Sequence, residues 1–162
     1  MKSFAFVGQA MPKPPYPDQP FGRTKLYLWF ESIGISEEYI TNYFHFSALV
    51  SYFPGSKNGS HIVPSEKDIL AELPLLKTFL DKTKPDVIVP IGKLAIGECL
   101  QQKIKSLEDI IGNKYFVDAF GLLGIPKTII PLPHPSGAST WFYQDKNKKL
   151  LHKALLLLKS EL

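Results

Sequence analysis

Residues 86–92 read DVIVPIG, a run of β-branched and apolar side chains interrupted by proline and closed by glycine. A strand with one wet face alternates apolar with polar residues. A near-continuous apolar run instead suits a strand buried on both faces, as in a parallel sheet covered by helices on each side. Three more segments share the pattern: SFAFVG (3–8), FHFSALV (44–50) and KTIIPLP (127–133). The intervals between them leave room for crossover helices, so the expected class is α/β with a parallel sheet. KLYLWFESIG (25–34) sets Leu26, Trp29, Phe30 and Ile33 at helical spacing and stops at Gly34. PSEKDILAELPLLKTFLDK (64–82) opens on a Pro-Ser start signal and carries Pro74, where a kink or split is expected. A further helix is expected after PIGKLAIGECL (90–100), and DKNKKLLHKALLLLKSEL (145–162) reads as a basic amphipathic helix lying on the core. PKPPYPDQP (12–20) is too rich in proline to be either helix or strand.

A length of 162 residues suits a single domain spanning 1–162, large enough to bury a core without disulfide or metal staples. The lone cysteine, Cys99, excludes an intramolecular disulfide and cannot by itself supply a zinc or iron-sulfur site, which fits a cytoplasmic protein. The opening MKSFAFVGQ has one lysine and too short an apolar run for a signal peptide or membrane anchor. A monomer with no membrane partner is expected. Nineteen Lys and Arg against fifteen Asp and Glu give a net charge of +4, a weak lean towards a polyanionic partner.

In an open parallel sheet, ligands bind beyond the carboxyl ends of the strands. Three unusual segments fall there: GQAMPKPPYPDQPFGR (8–23) after the first strand, SYFPGSKNGSHIVPS (51–65) after the second, and HPSGAS (134–139) after the fourth. Each is rich in Gly, Pro, Ser or aromatic residues, which permit close backbone approach and fix loop shape. Together they are expected to form one site.

The ordered set VGQAMP, QPFGRTKLYLWF, PDVIVPIGKLAI and PLPHPSGAST resembles the uracil-DNA glycosylase superfamily over most of the chain, with HPSG after the last strand the most specific match. The resemblance implies a three-layer α/β/α fold around a four-stranded parallel sheet, with a DNA groove at the strand ends. It also implies a hydrolase that cleaves the N-glycosidic bond of uracil or another deaminated base in DNA. The alternative is a glycosylase-fold DNA or nucleotide binder that has lost catalysis.

Cleaving that bond leaves negative charge on the base, and a histidine beside a base oxygen stabilises it by hydrogen bonding. His134 matches that position, with Pro133 and Pro135 restricting the backbone around it; taken alone, PHPSG is also an ordinary turn with a surface histidine. Ser136, Gly137 and Ser139 offer short side chains and free amides for phosphate contacts. By the resemblance Phe21 stacks on the flipped base, and otherwise it packs its own loop. Arg23, Lys25 and Lys93 are candidates for phosphate contact or for plain solvated charge, Lys93 with the amides of a helix N-terminus in GKLA.

The first motif, with Gly8, Gln9 and Ala10, lacks the Asp, Asn or Glu that many relatives use to position water. Gln9 can orient water but cannot accept its proton, which leaves Asp18 as base or, equally, as a turn residue. Where several branches read uracil with an asparagine, this chain has Ala48 beside Ser47. Where the iron-sulfur branch has cysteines, it has Tyr52 and Glu72, so neither cofactor nor metal cluster is expected. The wedge position falls on Ala138. Trp141 or Phe142 would serve instead, unless that pair is core or groove wall. His45 either points towards the ligand end of the sheet or satisfies a buried polar contact, the structural role being favoured, and His61 lies in a flexible loop where it contacts DNA or, as the favoured reading, is simply solvated.

Overall fold

A computed structural model gives the fold, and residues 1–12, 23–135 and 140–162 are described. In chain order the elements are β1 (Phe4–Ala10), α1 (Arg23–Ser32), α2 (Glu37–Tyr43), β2 (Phe44–Val50), β3 (Ser56–Lys57), β4 (Ser60–His61), α3 (Glu66–Thr83), β5 (Val87–Pro90), α4 (Lys93–Leu100), β6 (Tyr115–Val117), β7 (Lys127–Ile129) and α5 (Asp145–Ser160). Among the described residues, a five-stranded sheet runs in the order β2-β1-β5-β7-β6. The four expected segments are its parallel strands, and helices cover both faces, as a three-layer α/β/α fold requires. The fifth strand, β6, joins antiparallel to β7 at the edge. Its three residues, with Phe116 left exposed, make too short a run to be read as a strand from sequence.

Alternation along β1 divides the core in two. Phe4 and Phe6 meet Phe44 of β2, Leu26 and Phe30 of α1 and Leu155 and Leu158 of α5 on one face. Ala5 and Val7 meet Leu49 of β2 and Ile69, Leu76 and Leu80 of α3 on the other. The bulky face is aromatic: Phe4 and Phe44 lie 5.1 Å apart and Phe6 and Phe30 5.3 Å apart, both edge to face, the arrangement ring quadrupoles favour.

Local chemistry sets the helix ends. Gly34, at φ +80, closes α1, and the Ile35 amide reaches back to the Phe30 carbonyl at 3.0 Å. Ser65 and Asp68 form a reciprocal capping box at the start of α3. Pro74 neither kinks α3 into two nor ends it, because it sits on the exposed face four residues after exposed Leu70; the carbonyl that loses its partner there lies on the solvent side. The helix expected after residues 90–100 instead occupies them, beginning at Lys93 directly behind β5. Residues 57–65 are not a loose loop. Asn58 and Gly59, both at positive φ, make the two-residue turn of the β3–β4 hairpin, in which Ser56 pairs with His61.

The two termini are pinned together by Glu161, whose nearly buried carboxylate takes Lys2 Nζ at 2.5 Å and Lys114 Nζ at 3.2 Å. The hydrogen bond from Lys2, opposed in part by burial and reinforced by Lys114, holds the Glu161 carboxyl below the usual carboxylate range. A depressed folded-state pKa contributes stability above the ordinary value and loses it as pH falls through the folded value. Glu161→Gln is therefore expected to lower the melting temperature by a few degrees at pH 7, with the gap from the parent closing in acid below pH 4.5. A gap that stays constant down to acid pH would show that charge is not what Glu161 contributes.

Candidate active site

Neighbours of β1 lie on opposite sides of it, β2 on one and β5 on the other, so the winding of the sheet reverses between β1 and β5. A crevice opens beyond the carboxyl ends of strands at such a point. Gln9 and Ala10 end β1 there, and the Met11 amide donates to the Tyr52 carbonyl at 3.2 Å, tying the loop after β1 to the loop after β2. The ladder between β5 and β7 continues past both strands. Leu132 N donates to Pro90 O at 3.0 Å, Gly92 N donates to Leu132 O at 3.0 Å, and Ile91 N donates to Val7 O at 2.8 Å. Two residues after Leu132, between buried Pro133 and Pro135, His134 emerges over the same strand ends.

A cavity of about 150 Å³ occupies this crevice, lined by Gln9, Ala10, Met11, Pro12, Pro54, His61, Ile62 and His134. A void of roughly that volume accepts a single six-membered ring. The His134 ring keeps one side open to solvent but is otherwise crowded by protein. That desolvation, with His61 as a smaller second cause, holds its pKa below the usual 6.5. At neutral pH the ring is an uncharged imidazole with one N–H to donate.

Gly92 makes this packing possible. It precedes α4 at φ 88 and ψ 160, a region open essentially to glycine alone, and a methyl group built on it would stand 3.6 Å from His134 Cβ. The space is adequate; the backbone is what excludes a side chain.

The structure brings Gln9, Ala10 and His134 together around the cavity. Gly8 is buried one residue behind, in register with Ala48, while Ser47 is in register with Val7; none of these three lines the cavity. Lys93 is exposed at the start of α4, its Nζ 3.4 Å from the Lys105 carbonyl. Arg23 is the first residue of α1. Asp18, Phe21, Ser136, Gly137, Ala138 and Ser139 lie outside the described residues. Lys25 places its Nζ 4.2 Å from the centre of the Phe142 ring, and Phe142 packs 5.6 Å from Trp29, so the aromatic pair at 141–142 walls the core.

His61 is exposed, as its solvated reading expects, but its place at the cavity was not read from sequence. It stands at the cavity through the β3–β4 hairpin, and the Asn-Gly pair at 58–59 was the signal that gives it away. At the positions matched to cluster cysteines, Ser51 donates through both its amide (2.9 Å) and its hydroxyl (2.6 Å) to Glu72 Oε1. Iron-sulfur clusters need thiolates, and the chain's single cysteine, Cys99, is buried in the core with its thiol pushed far above the usual range by desolvation. The residues at 52 and 72 therefore do not fit such a cluster. Among the described residues no helix is long and apolar enough to cross a membrane.

The crevice thus lies at the switch point of a parallel sheet, with a histidine held between prolines at its rim. The chain belongs to the uracil DNA glycosylase superfamily, whose model matches residues 2–159. It is also 30% identical over 86 residues to the protein named "Folic acid synthesis protein fol1" of Pneumocystis carinii. That match takes in 51% of this chain and 11% of the fungal protein, so the chain spans only a small part of that relative's length.

Gly92→Ala is expected to destabilise the folded state by about 1–3 kcal/mol in a denaturant titration, the cost of forcing an L-residue into this backbone conformation. An unchanged midpoint would show that the start of α4 relaxes without the glycine geometry.

Proposed function

We propose that the chain is a DNA glycosylase that hydrolyses the N-glycosidic bond of uracil or another deaminated base in DNA. The observation that carries this reading is the ring-sized cavity with His134 in its lining. In the proposed reaction the bond from sugar C1′ to the base breaks with its electron pair leaving on the base. His134 donates its N–H to a base oxygen as that charge develops. A neutral imidazole keeps one N–H, which is enough to give a directed hydrogen bond to the developing anion. Water then adds to C1′, oriented by the Gln9 amide, and Asp18 is the candidate to accept its proton or to stabilise the cationic sugar. Phe21 is proposed to stack on the flipped base, with Ala10 in the cavity wall and Gly8, Ser47 and Ala48 backing that wall from the strands behind it. Arg23, Lys93, Ser136, Gly137 and Ser139 are proposed to hold the phosphates on either side.

A second reading, a glycosylase-fold DNA binder without catalysis, rests on one feature: among the described residues lining the cavity none is a carboxylate. An oxocarbenium-like sugar that forms before water attacks does not need a strong base, so this feature predicts a slow enzyme as readily as an inactive one.

The two readings part at His134. If it stabilises the departing base, His134→Ala lowers the single-turnover excision rate by roughly 10²-fold or more, as removal of one oxyanion-type donor does, while DNA affinity changes little. Phe21→Ala weakens both capture and rate, because stacking precedes bond cleavage. A His134→Ala protein that excises at the parent rate, or loses rate only in step with folding, overturns the mechanism.

A further inference from the structure

Among the described lining residues of the cavity, the polar side chains are Gln9, His61 and His134, and the rest are apolar. The proposed reaction uses Gln9 and His134 and leaves His61 without a task. Its position is nevertheless built. The Asn58-Gly59 turn folds β4 back on β3, and the Ile62 amide closes the base of the hairpin on the Gly55 carbonyl at 2.9 Å. The imidazole meets the Phe53 ring edge to face, 5.2 Å between centres, which restricts its orientation. His61 is also near enough to His134 to oppose its protonation. The two imidazoles thus reach one ring-sized space from separate elements, a hairpin and the segment after β7.

We infer that His61 is a second base-contacting side chain of this cavity, one that determines specificity by pairing with a polar exocyclic group at an edge of the base other than the edge His134 contacts. This rests on the reading of the cavity as a base pocket. It narrows the ligand class to six-membered rings carrying hydrogen-bonding substituents at two positions, as the dioxopyrimidine uracil does. A ring with one such substituent would satisfy His134 and forgo the hydrogen bond to His61, which costs affinity. Because a neutral imidazole donates through one nitrogen and accepts through the other, His61 tolerates either a carbonyl or an amino group at that edge and selects against its absence.

The test uses the whole protein and two free bases, uracil and pyrimidin-2-one, which lacks the second oxygen. In imidazole-detected NMR at pH 7.5, uracil is expected to shift the ring signals of both His61 and His134. Wild type should bind uracil roughly 3- to 10-fold more tightly than pyrimidin-2-one, the range one net hydrogen bond supplies. His61→Ala should bring that ratio close to one with an unchanged melting temperature, and His61→Gln, which retains a donor and an acceptor, should restore part of it. A response at His134 without one at His61, together with an unchanged ratio in His61→Ala, overturns the inference and leaves the base pocket standing. No response at either ring, with no excision of any deaminated base, overturns the pocket reading and the inference with it.

Discussion

Three backbone hydrogen bonds beyond the regular sheet carry the rest of the site: Leu132 N to Pro90 O, Gly92 N to Leu132 O, and Ile91 N to Val7 O. They extend the parallel ladder across β1, β5 and the chain leaving β7 at the point where the strands end. The ends of β1 and β5 and the segment after β7 inherit their positions at the cavity from them. Gln9 stands two residues past the Val7 carbonyl, Gly92 begins α4, and His134 follows Leu132 by two residues through a buried proline. A hydrogen-bonded ladder between strands buried on both faces is among the stiffest parts of an α/β fold, and a site built on it keeps its geometry with little entropy left to lose.

The four parallel strands were legible because burial on both faces, continuous from residue 87 to residue 91, leaves a strong compositional mark. The position of His134 was legible because proline on each side marks a fixed backbone. Features that depend on a few residues were less so. The helix α2 is only seven residues long, and its Ser36 cap with Glu37 and Glu38 in the first turn is a local signal easily lost beside the run that follows. The strand β6 depends on its partner β7 for definition, not on its own pattern. At Pro74 the propensity argument was sound for an isolated helix, but α3 is held along its buried side by Ile69, Leu76 and Leu80, and packing outweighed one missing hydrogen bond.

His61 shows how a site residue escapes a reading along the chain. It is separated from His134 by 72 residues, and nothing near it resembles a catalytic motif. Its position follows from a turn: Asn58 and Gly59 accept the positive φ that a tight hairpin needs, and the hairpin returns the chain to the strand ends. Sequence spacing supplied the rim at Gln9 and His134, and turn chemistry supplied the third polar wall.

The central claim is that the crevice between the ends of β1 and β5 holds a base during its removal from DNA. The most direct measurement incubates the purified protein with oligonucleotides that carry uracil, hypoxanthine or xanthine at one position and quantifies abasic sites by strand scission in alkali. The account predicts abasic sites at one or more of the deaminated bases and none in the matched undamaged oligonucleotide. Intact strands across the whole panel, from protein that is folded and binds the same DNA, would contradict it and leave the chain a binder on a glycosylase fold.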